Sequence, residues 1–171
     1  CAFQGQMGMY VRALSYMMSH GSDGLRQVAE DAVLNANYIK ARLEDLMSPA
    51  FPDGPCMHEA LFDDEWLKGT DVTTLDFAKA MIDEGFHPMT MYFPLVVHGA
   101  MLIEPTETES KAELDRFIEA MRLLAGAAKA GDVERFKGAP FHAPLRRLDE
   151  TRAARSPRLR WAAPEGSNRA G

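Results

Sequence analysis

A proline-stiffened apolar segment, residues 85–107, most constrains what this chain can fold into. It follows a glycine that can end a helix, and its two short apolar runs predict strands near residues 90–93 and 95–103. Pro94 separates the two runs. Because proline has no amide hydrogen to donate to a sheet, at least one strand is expected to lie at an edge or to bend. The segment closes on an acidic, hydroxyl-rich turn, so the other elements are expected to pack around this strand pair.

Helical periodicity flanks the segment on both sides. Apolar residues recur every three or four positions over residues 25–46, which predicts a helix of about six turns, and a weaker pattern predicts an earlier helix over residues 5–20. Thr73 and Ser110 each stand three residues before an acidic residue. This spacing is typical of a capping box and predicts two further helix starts. Asn35 flanks the long apolar stripe and is expected to be a buried hydrogen-bonding residue.

The order of predicted elements indicates the fold class. A short strand is expected over residues 56–62, so the order is helix, helix, strand, helix, two strands, helix and a tail. Three strands with helices packed on one side make a small α+β domain. Short turns between neighbouring strands favour an antiparallel sheet. The length of 171 residues fits one domain, or one domain with appendages.

Composition narrows the class of protein. With 46% hydrophobic and 26% charged residues the chain resembles an ordinary soluble globular protein, without an apolar run long enough to span a membrane and without a visible secretory leader. Cys1 and Cys56 form neither a disulfide framework nor a metal-type spacing, so a reducing cytoplasm is expected. Because the chain begins at Cys1 instead of Met, we expect a processed product or a piece of something longer.

Charge is unevenly distributed along the chain. The net charge is −6, yet the residues from His142 onward carry seven arginines against three acidic residues. These arginines are scattered among prolines and alanines instead of being interleaved with aromatic residues, so nucleic-acid binding is not expected. The tail is expected to be an arm that packs on the acidic body or on a partner chain.

Motifs for metal, nucleophilic or phosphate chemistry are weak. His58-Glu59 lacks the second histidine of a zinc-protease motif, no serine stands in a nucleophile elbow, and no Gly-rich phosphate loop exists. His58, His87 and His98 could serve a metal-dependent hydrolase only if the fold brought them together. Gly5-Gln6 lies at a helix start, where free amide groups can hold an anion. The alternative is that it only begins the helix.

The polar residues of the 85–107 segment allow two interpretations. The first three, His87, Thr90 and Tyr92, lie on or beside a predicted strand, and Glu104 and Thr106 follow the next one. They could be a satisfied sheet edge with a helix-capping turn. They could equally form one wall of a pocket whose remainder comes from outside this chain. The residues do not supply a complete catalytic set.

Several segments in order resemble the C-terminal part of glycine decarboxylase, the P-protein of the glycine cleavage system. The resemblance covers residues 2–161 and is close to the separate C-terminal subunit found in many bacteria. The matching motifs are GFHPxTxYFP from Gly85, IEPTExESK from Ile103, AVLNANY from Ala32, PCMHE from Pro55, and RRLDExRAAR from Arg146 with LRW from Leu159.

The resemblance implies a part of a pyridoxal-phosphate (PLP) enzyme of the aminotransferase-like fold, fold type I. In that family the cofactor acts as an electron sink for the release of CO2 from glycine, and the aminomethyl group passes to the lipoyl arm of H-protein. Residues 1–47 would then end the large domain and form a linking helix, residues 48–140 would form the small domain, and residues 141–171 would form an Arg/Pro-rich arm.

The family's Schiff-base lysine stands in a His-Lys segment followed by a glycine-rich run. None of the lysines of this chain has that context, so the anchor is expected upstream of Cys1. The chain is therefore expected to hold no covalent PLP and to be inactive alone. A non-catalytic assembly module of the same ancestry is the alternative.

By the same resemblance, Gly5 and Gln6 are candidates for the PLP phosphate. The candidates for lining a pocket for substrate or the lipoyl arm are His87, Thr90, Tyr92, Glu104 and Thr106. The implied partners are the remainder of the P-protein and lipoylated H-protein, within a homo- or hetero-oligomer and without a membrane or nucleic acid.

Overall fold

The computed structural model describes residues 4–161, so Cys1 lies outside the described residues. The helices of this part are α1 (Met7–Leu43), α2 (Thr74–Asp83), α3 (Lys111–Lys129), α4 (Val133–Lys137) and α5 (Glu150–Arg155), and the strands are β1 (Ala60–Phe62), β2 (Thr90–Met91) and β3 (Met101–Ile103). Within the described residues, no helix is both long and apolar enough to cross a bilayer.

The three strands form one antiparallel sheet in the order β1-β3-β2. Ala60 pairs with Ile103 and Phe62 with Met101, and these four side chains are buried. Leu102, one position along, is only partly buried, as the alternation of side chains along a strand requires. One face of the sheet therefore packs on the helices, and the predicted α+β class with an antiparallel sheet is confirmed.

The strands are shorter than the sequence predicts. Tyr92 has a φ of +60°, in the left-handed region, so the chain leaves β2 there, and a hydrogen bond from Val97 N to Pro94 O (3.0 Å) closes a turn where a strand was expected. The predicted strand over residues 56–62 begins only at Ala60. Residues 56–59 lie outside the strand, and the Cys56 amide donates to Asn37 Oδ1 of α1 (2.9 Å) instead of to a neighbouring strand.

Helix α1 consists of two helical segments that meet at Gly21, where φ is 66° and ψ is −176°. Tyr16 donates to Glu107 Oε1 (2.8 Å), and the Asn35 amide donates to the Thr106 carbonyl (3.0 Å). In a straight helix, residues 16 and 35 would lie about 28 Å apart, at 1.5 Å per residue. Because they contact adjacent residues of one turn, the kink folds the first segment back onto that turn.

The predicted helix boundaries at Thr73 and Gly85 are confirmed, and the one at Ser110 is confirmed in part. Thr73 and Asp76 form a reciprocal capping box at the start of α2, and Gly85 follows its end with a φ of 86°. Ser110 accepts from the Glu113 amide (3.2 Å), but the Glu113 carboxylate accepts from Arg116 (2.9 Å) instead of returning to the cap.

The core lies between the sheet and helices α1 to α4. Phe77 of α2 stacks on Phe136 of α4, with ring centroids 6.1 Å apart, and both side chains are fully buried. The beginning of the basic arm packs on acidic residues of α2. The amide groups of Phe141 and His142 donate to Asp83, at 2.7 to 2.9 Å. These contacts agree with the expected packing of the arm on the acidic body.

Candidate functional site

A pocket of about 430 Å³ lies where β2, β3, the turn at residues 104–109, α1 and α3 meet. Nine of its fourteen lining residues are apolar. Ile39 comes from α1 and Phe117 from α3, and the ring of Phe86 meets that of Phe117 edge to face, with centroids 5.5 Å apart. Pockets that bind small molecules have this size and mainly apolar character, so the geometry suits a ligand.

Three of the five candidate residues lie in the wall of this pocket. They are His87, Thr90 and Glu104, and His87 and Thr90 are exposed to solvent. The structure therefore brings together polar residues from the loop before β2, from β2 itself and from the turn after β3. Tyr92 and Thr106 lie outside this set.

Tyr92 and Thr106 have partners within the fold. The Tyr92 hydroxyl accepts from the amide of Leu75 (3.2 Å), which supports the first turn of α2. Thr106 accepts from Asn35 through its carbonyl oxygen, and its hydroxyl lies 2.7 Å from the hydroxyl of Thr108. Asn35 thus joins α1 to the turn beside the pocket. Its predicted hydrogen bonding is confirmed, but the residue is half-buried instead of buried, because it lies where the helix meets an exposed turn.

Sequence reasoning did not single out two acidic residues of the pocket. Glu109 and Glu113 line it together with Glu104, whereas lysine and arginine are absent from its fourteen lining residues. A signal for both residues existed in the sequence. The capping pattern at Ser110 places Glu109 immediately before the start of α3 and Glu113 in its first turn, next to the turn that carries Glu104.

The histidines predicted for a hydrolase are not brought together as metal ligands. Within residues 4–161, the group with metal-type spacing is His58, Glu59 and Glu104, whose ligand atoms lie within 4.8 Å of one another. His98 instead forms a hydrogen bond with Asp64 (2.8 Å), and this bond raises the pKa of His98. His87 lies in the pocket, so the set expected for metal-dependent hydrolysis does not form.

The start of α1 has the properties of an anion site. Gln6, the residue before the helix, makes no side-chain cap, and no acidic residue stands in the first turn. The positive end of the helix dipole is therefore uncompensated, which favours a phosphate group. Gly5 has a φ of 137°, a backbone conformation that residues with a side chain rarely adopt, so this position favours glycine.

The most buried lysine holds a structural position. Lys40, only 7% exposed, donates to the carbonyl oxygens of Phe51 (2.9 Å), Pro52 (3.3 Å) and Gly54 (2.7 Å). Its ammonium group thereby fixes the turn that leads to β1. None of the lysines lines the 430 Å³ pocket.

The first segment of α1 exposes apolar side chains over most of its circumference, apart from a strip that carries Arg12, Ser15 and Ser19. Met7 and Met18 are 74% and 75% exposed, and Leu14 is 54% exposed. Further along the helix the stripe that includes Ile39 and Leu43 is buried. A large exposed apolar surface is typical of a contact with another body.

Comparison with known proteins identifies related chains. The family described as "Glycine dehydrogenase, C-terminal domain" matches residues 28–145. A protein of Caulobacter vibrioides, described as a probable glycine dehydrogenase (decarboxylating) subunit 2, is 88% identical over 160 residues, which are 94% of this chain and 30% of that protein. Proteins with the same description from Kosmotoga olearia and Caldanaerobacter subterraneus are each 48% identical, over 94% of this chain and 33% of theirs.

The chain thus spans about a third of the length of the curated relatives that it matches.

Proposed function

The chain belongs to the glycine dehydrogenase C-terminal domain family, and from this premise we propose that it works as the C-terminal segment of a glycine dehydrogenase (decarboxylating) subunit 2. The assembled enzyme would decarboxylate glycine on PLP and transfer the aminomethyl group to the lipoyl arm of H-protein. This chain alone would be inactive.

The first segment of α1 carries this proposal. Its exposed apolar side chains cover most of the circumference of the helix and include Met7, Leu14, Tyr16 and Met18, which are 42% to 75% exposed. A large exposed apolar surface of this kind is typical of a contact with another body. The upstream two thirds of the relatives' length supplies such a body. We therefore infer that this helix segment is an internal contact of the complete subunit.

The residues that fit PLP are those at the start of α1. When bound, PLP supplies the electron sink that allows glycine to lose CO2. Gly5 and Gln6 would present backbone amide groups to its phosphate, because the helix start has neither a side-chain cap nor an acidic neighbour. The lysine that anchors the cofactor would come from the upstream segment, since none of the lysines of this chain stands in the family's His-Lys context and none lines the pocket.

The 430 Å³ pocket would be a wall for substrate or the lipoyl arm. His87 and Thr90 offer hydrogen-bonding groups at its polar side, and Phe86 and Phe117 would exclude water from its apolar side. Glu104 adds a carboxylate to the same wall. Tyr92 and Thr106 would support the site indirectly, by holding the start of α2 and the turn beside the pocket.

The assembled protein would be an oligomer in the cytoplasm. Its partners would be the upstream part of the same subunit, the companion subunit and lipoylated H-protein.

The decisive experiment restores the missing part. The chain is co-expressed with the upstream segment of a relative, and the PLP-loaded complex is assayed for exchange of bicarbonate into the carboxyl group of glycine. We expect exchange by the complex and none by either part alone. A correctly folded, PLP-loaded complex without exchange would contradict the proposal and favour a non-catalytic assembly module.

Two matched variants test the role of α1. Leu14→Glu places a charge on the exposed apolar segment and should prevent assembly while the isolated chain keeps its helical circular dichroism. Ala29→Glu makes the same kind of change at an exposed position after the kink and should permit assembly. Equal assembly of both variants would refute an interface on the first segment.

A trapping experiment tests the origin of the anchor. The isolated chain is mixed with PLP and reduced with borohydride, and the product is mapped by mass spectrometry. We expect no stoichiometric modification at any one lysine. Complete labelling of a single lysine would show that the anchor lies within this chain.

A further inference from the structure

We propose that the 430 Å³ pocket selects an aliphatic chain that ends in an ammonium group. This inference deepens the proposed function, on which it rests for the role of the ligand in turnover. The binding preference itself follows from the walls of the pocket and can be measured without turnover.

The apolar part of the pocket indicates that the ligand contains a hydrocarbon chain. Ile39, Leu114 and Met89 are 1%, 4% and 8% exposed and belong to the hydrophobic core. Phe86 and Phe117 close one side with their rings. Apolar walls favour hydrocarbon, and the volume lies within the range of about 300–1,000 Å³ usual for ligands much larger than glycine. The ligand is therefore a chain of several methylene groups.

The charged part of the pocket indicates that the ligand ends in a cationic group. Glu104, Glu109 and Glu113 line it from exposed positions. Arg116 donates to both carboxylate oxygens of Glu113 (2.9 and 3.0 Å), so the uncompensated charge of this wall comes from Glu109 and from Glu104, whose partner His58 lies 3.9 Å away. Within residues 4–161 Glu109 has no ion-pair partner, and no lysine or arginine lines the pocket. An anionic wall of this kind stabilises a cation.

The same carboxylates act against competing ligands. A carboxylate or phosphate group placed in the pocket would meet like charges, because Arg116, which lies over the Phe86 ring, already donates to both carboxylate oxygens of Glu113. Discrimination between ligands comes from such repulsion as much as from attraction. The pocket therefore disfavours the phosphate of PLP and the carboxylate end of a substrate, and it admits a hydrocarbon chain with a positively charged end.

A free or tethered amine and the lysine side chain of a partner protein share this chemistry. The test uses four probes. Two represent the two possible sources of the ammonium group, and the other two have a six-carbon chain like that of the first probe but a neutral or negative end. n-Hexylammonium, n-hexanol and n-hexanoate vary only the terminal group, and Nα-acetyl-lysine amide represents a protein side chain. Each is titrated into the full chain, and into its complex with the upstream segment.

The methyl group of Met89 reports binding, because Met89 lines the pocket. Its NMR signal in protein labelled with [methyl-¹³C]methionine is assigned from its loss in Met89→Leu. n-Hexylammonium should shift this signal saturably, n-hexanol should bind about tenfold more weakly, and n-hexanoate should give no saturable shift. A saturable shift with the lysine amide would support a partner side chain as the source, and a shift with n-hexylammonium but none with the lysine amide would support a free or tethered amine.

Matched variants separate the charge effect from a change in fold. Glu109→Gln should weaken n-hexylammonium about two- to fivefold and leave n-hexanol unchanged, as expected for a partly exposed ion pair. Glu119→Gln removes the same charge from an exposed position of α3 outside the pocket and should change neither affinity. Equal affinity for the alcohol and the ammonium, no binding by either, or no effect of Glu109→Gln would overturn the proposal.

The two proposals can fail separately. A complex that exchanges bicarbonate into glycine but shows no preference for n-hexylammonium would overturn the ligand assignment and leave the proposed function standing. A chain that prefers n-hexylammonium but forms no active complex would overturn the proposed function and leave the ligand assignment standing.

Discussion

Asp76 is the most strongly held acidic residue described, and its removal gives a quantitative test of how α2, α4 and the arm are joined. Only 2% of the residue is exposed. Its carboxylate accepts from the Thr73 amide and hydroxyl, from Lys137 Nζ (2.7 Å) and from Arg147 Nη2 (2.7 Å). One side chain therefore caps α2 and holds both α4 and the arm.

The protonation of Asp76 measures the strength of these contacts. Burial by itself would raise the pKa of Asp76, but hydrogen bonds from Lys137, Thr73 and Arg147 outweigh it and lower the pKa from 3.8 to about 2. That difference corresponds to about 2.4 kcal/mol of folding free energy. Because the pKa is lowered in the folded state, this contribution is complete above about pH 5 and is lost as the pH falls towards 2.

The perturbation is Asp76→Asn, which keeps the size of the side chain and removes its charge. At pH 7 the variant should lose about 2–4 kcal/mol of unfolding free energy, because two cations lose their partner. At pH 3 the difference in unfolding free energy between the variant and the original chain should be about 1 kcal/mol smaller than at pH 7. Linkage predicts this decrease because Asp76 has lost about 1 kcal/mol of its contribution at pH 3. Urea denaturation at both pH values measures it.

Trp66 provides the signal, since its ring meets Phe77 of α2 at 5.1 Å, and Trp161→Phe removes the second tryptophan. Asp45→Asn is the control. Asp45 forms a bidentate pair with Arg122 (2.5 and 2.7 Å), yet its side chain is 60% exposed, so the loss should be much smaller than at Asp76. Equal losses at the two sites, or a gap at Asp76 that does not change with pH, would refute the reasoning.

Gly21→Ala should destabilise the chain by about 1–3 kcal/mol, because its backbone conformation is essentially confined to glycine; Gly126→Ala, inside α3 with open space around it, should stabilise by up to about 1 kcal/mol in the same urea assay. Lys40→Met should cost about 2–3 kcal/mol and speed amide exchange in the turn it holds, since three carbonyl groups lose a charged donor; unchanged exchange would contradict this role. His98 should titrate in NMR above the ordinary histidine range, and Asp64→Asn should abolish that elevation.

Local signals in the sequence predicted the elements that depend on neighbouring residues. The capping box at Thr73, the glycine that ends α2 and the break at Gly21 all involve contacts within a few positions, and the structure confirms them. Strand lengths were overestimated because an apolar run does not reveal that Tyr92 adopts a left-handed conformation or that Asn37 captures the Cys56 amide. These two features arise from tertiary contacts that periodicity does not contain.

The pocket depends on long-range geometry, and for that reason only its residues within or beside the two strands of the 85–107 segment could be anticipated. Ile39 and Phe117 are far apart in the sequence, and Glu109 and Glu113 enter the wall only because α3 starts beside the turn at residues 104–109. The fold-back at Gly21 has the same character. Gly21 and Gly24 indicate a break between the two predicted helices. Only the contacts of Tyr16 and Asn35 with the turn at residues 104–109 reveal the direction in which the chain folds back. The kink brings the exposed apolar segment of α1 to the turn that also borders the pocket. A body that covers that segment would therefore lie beside the turn that borders the pocket.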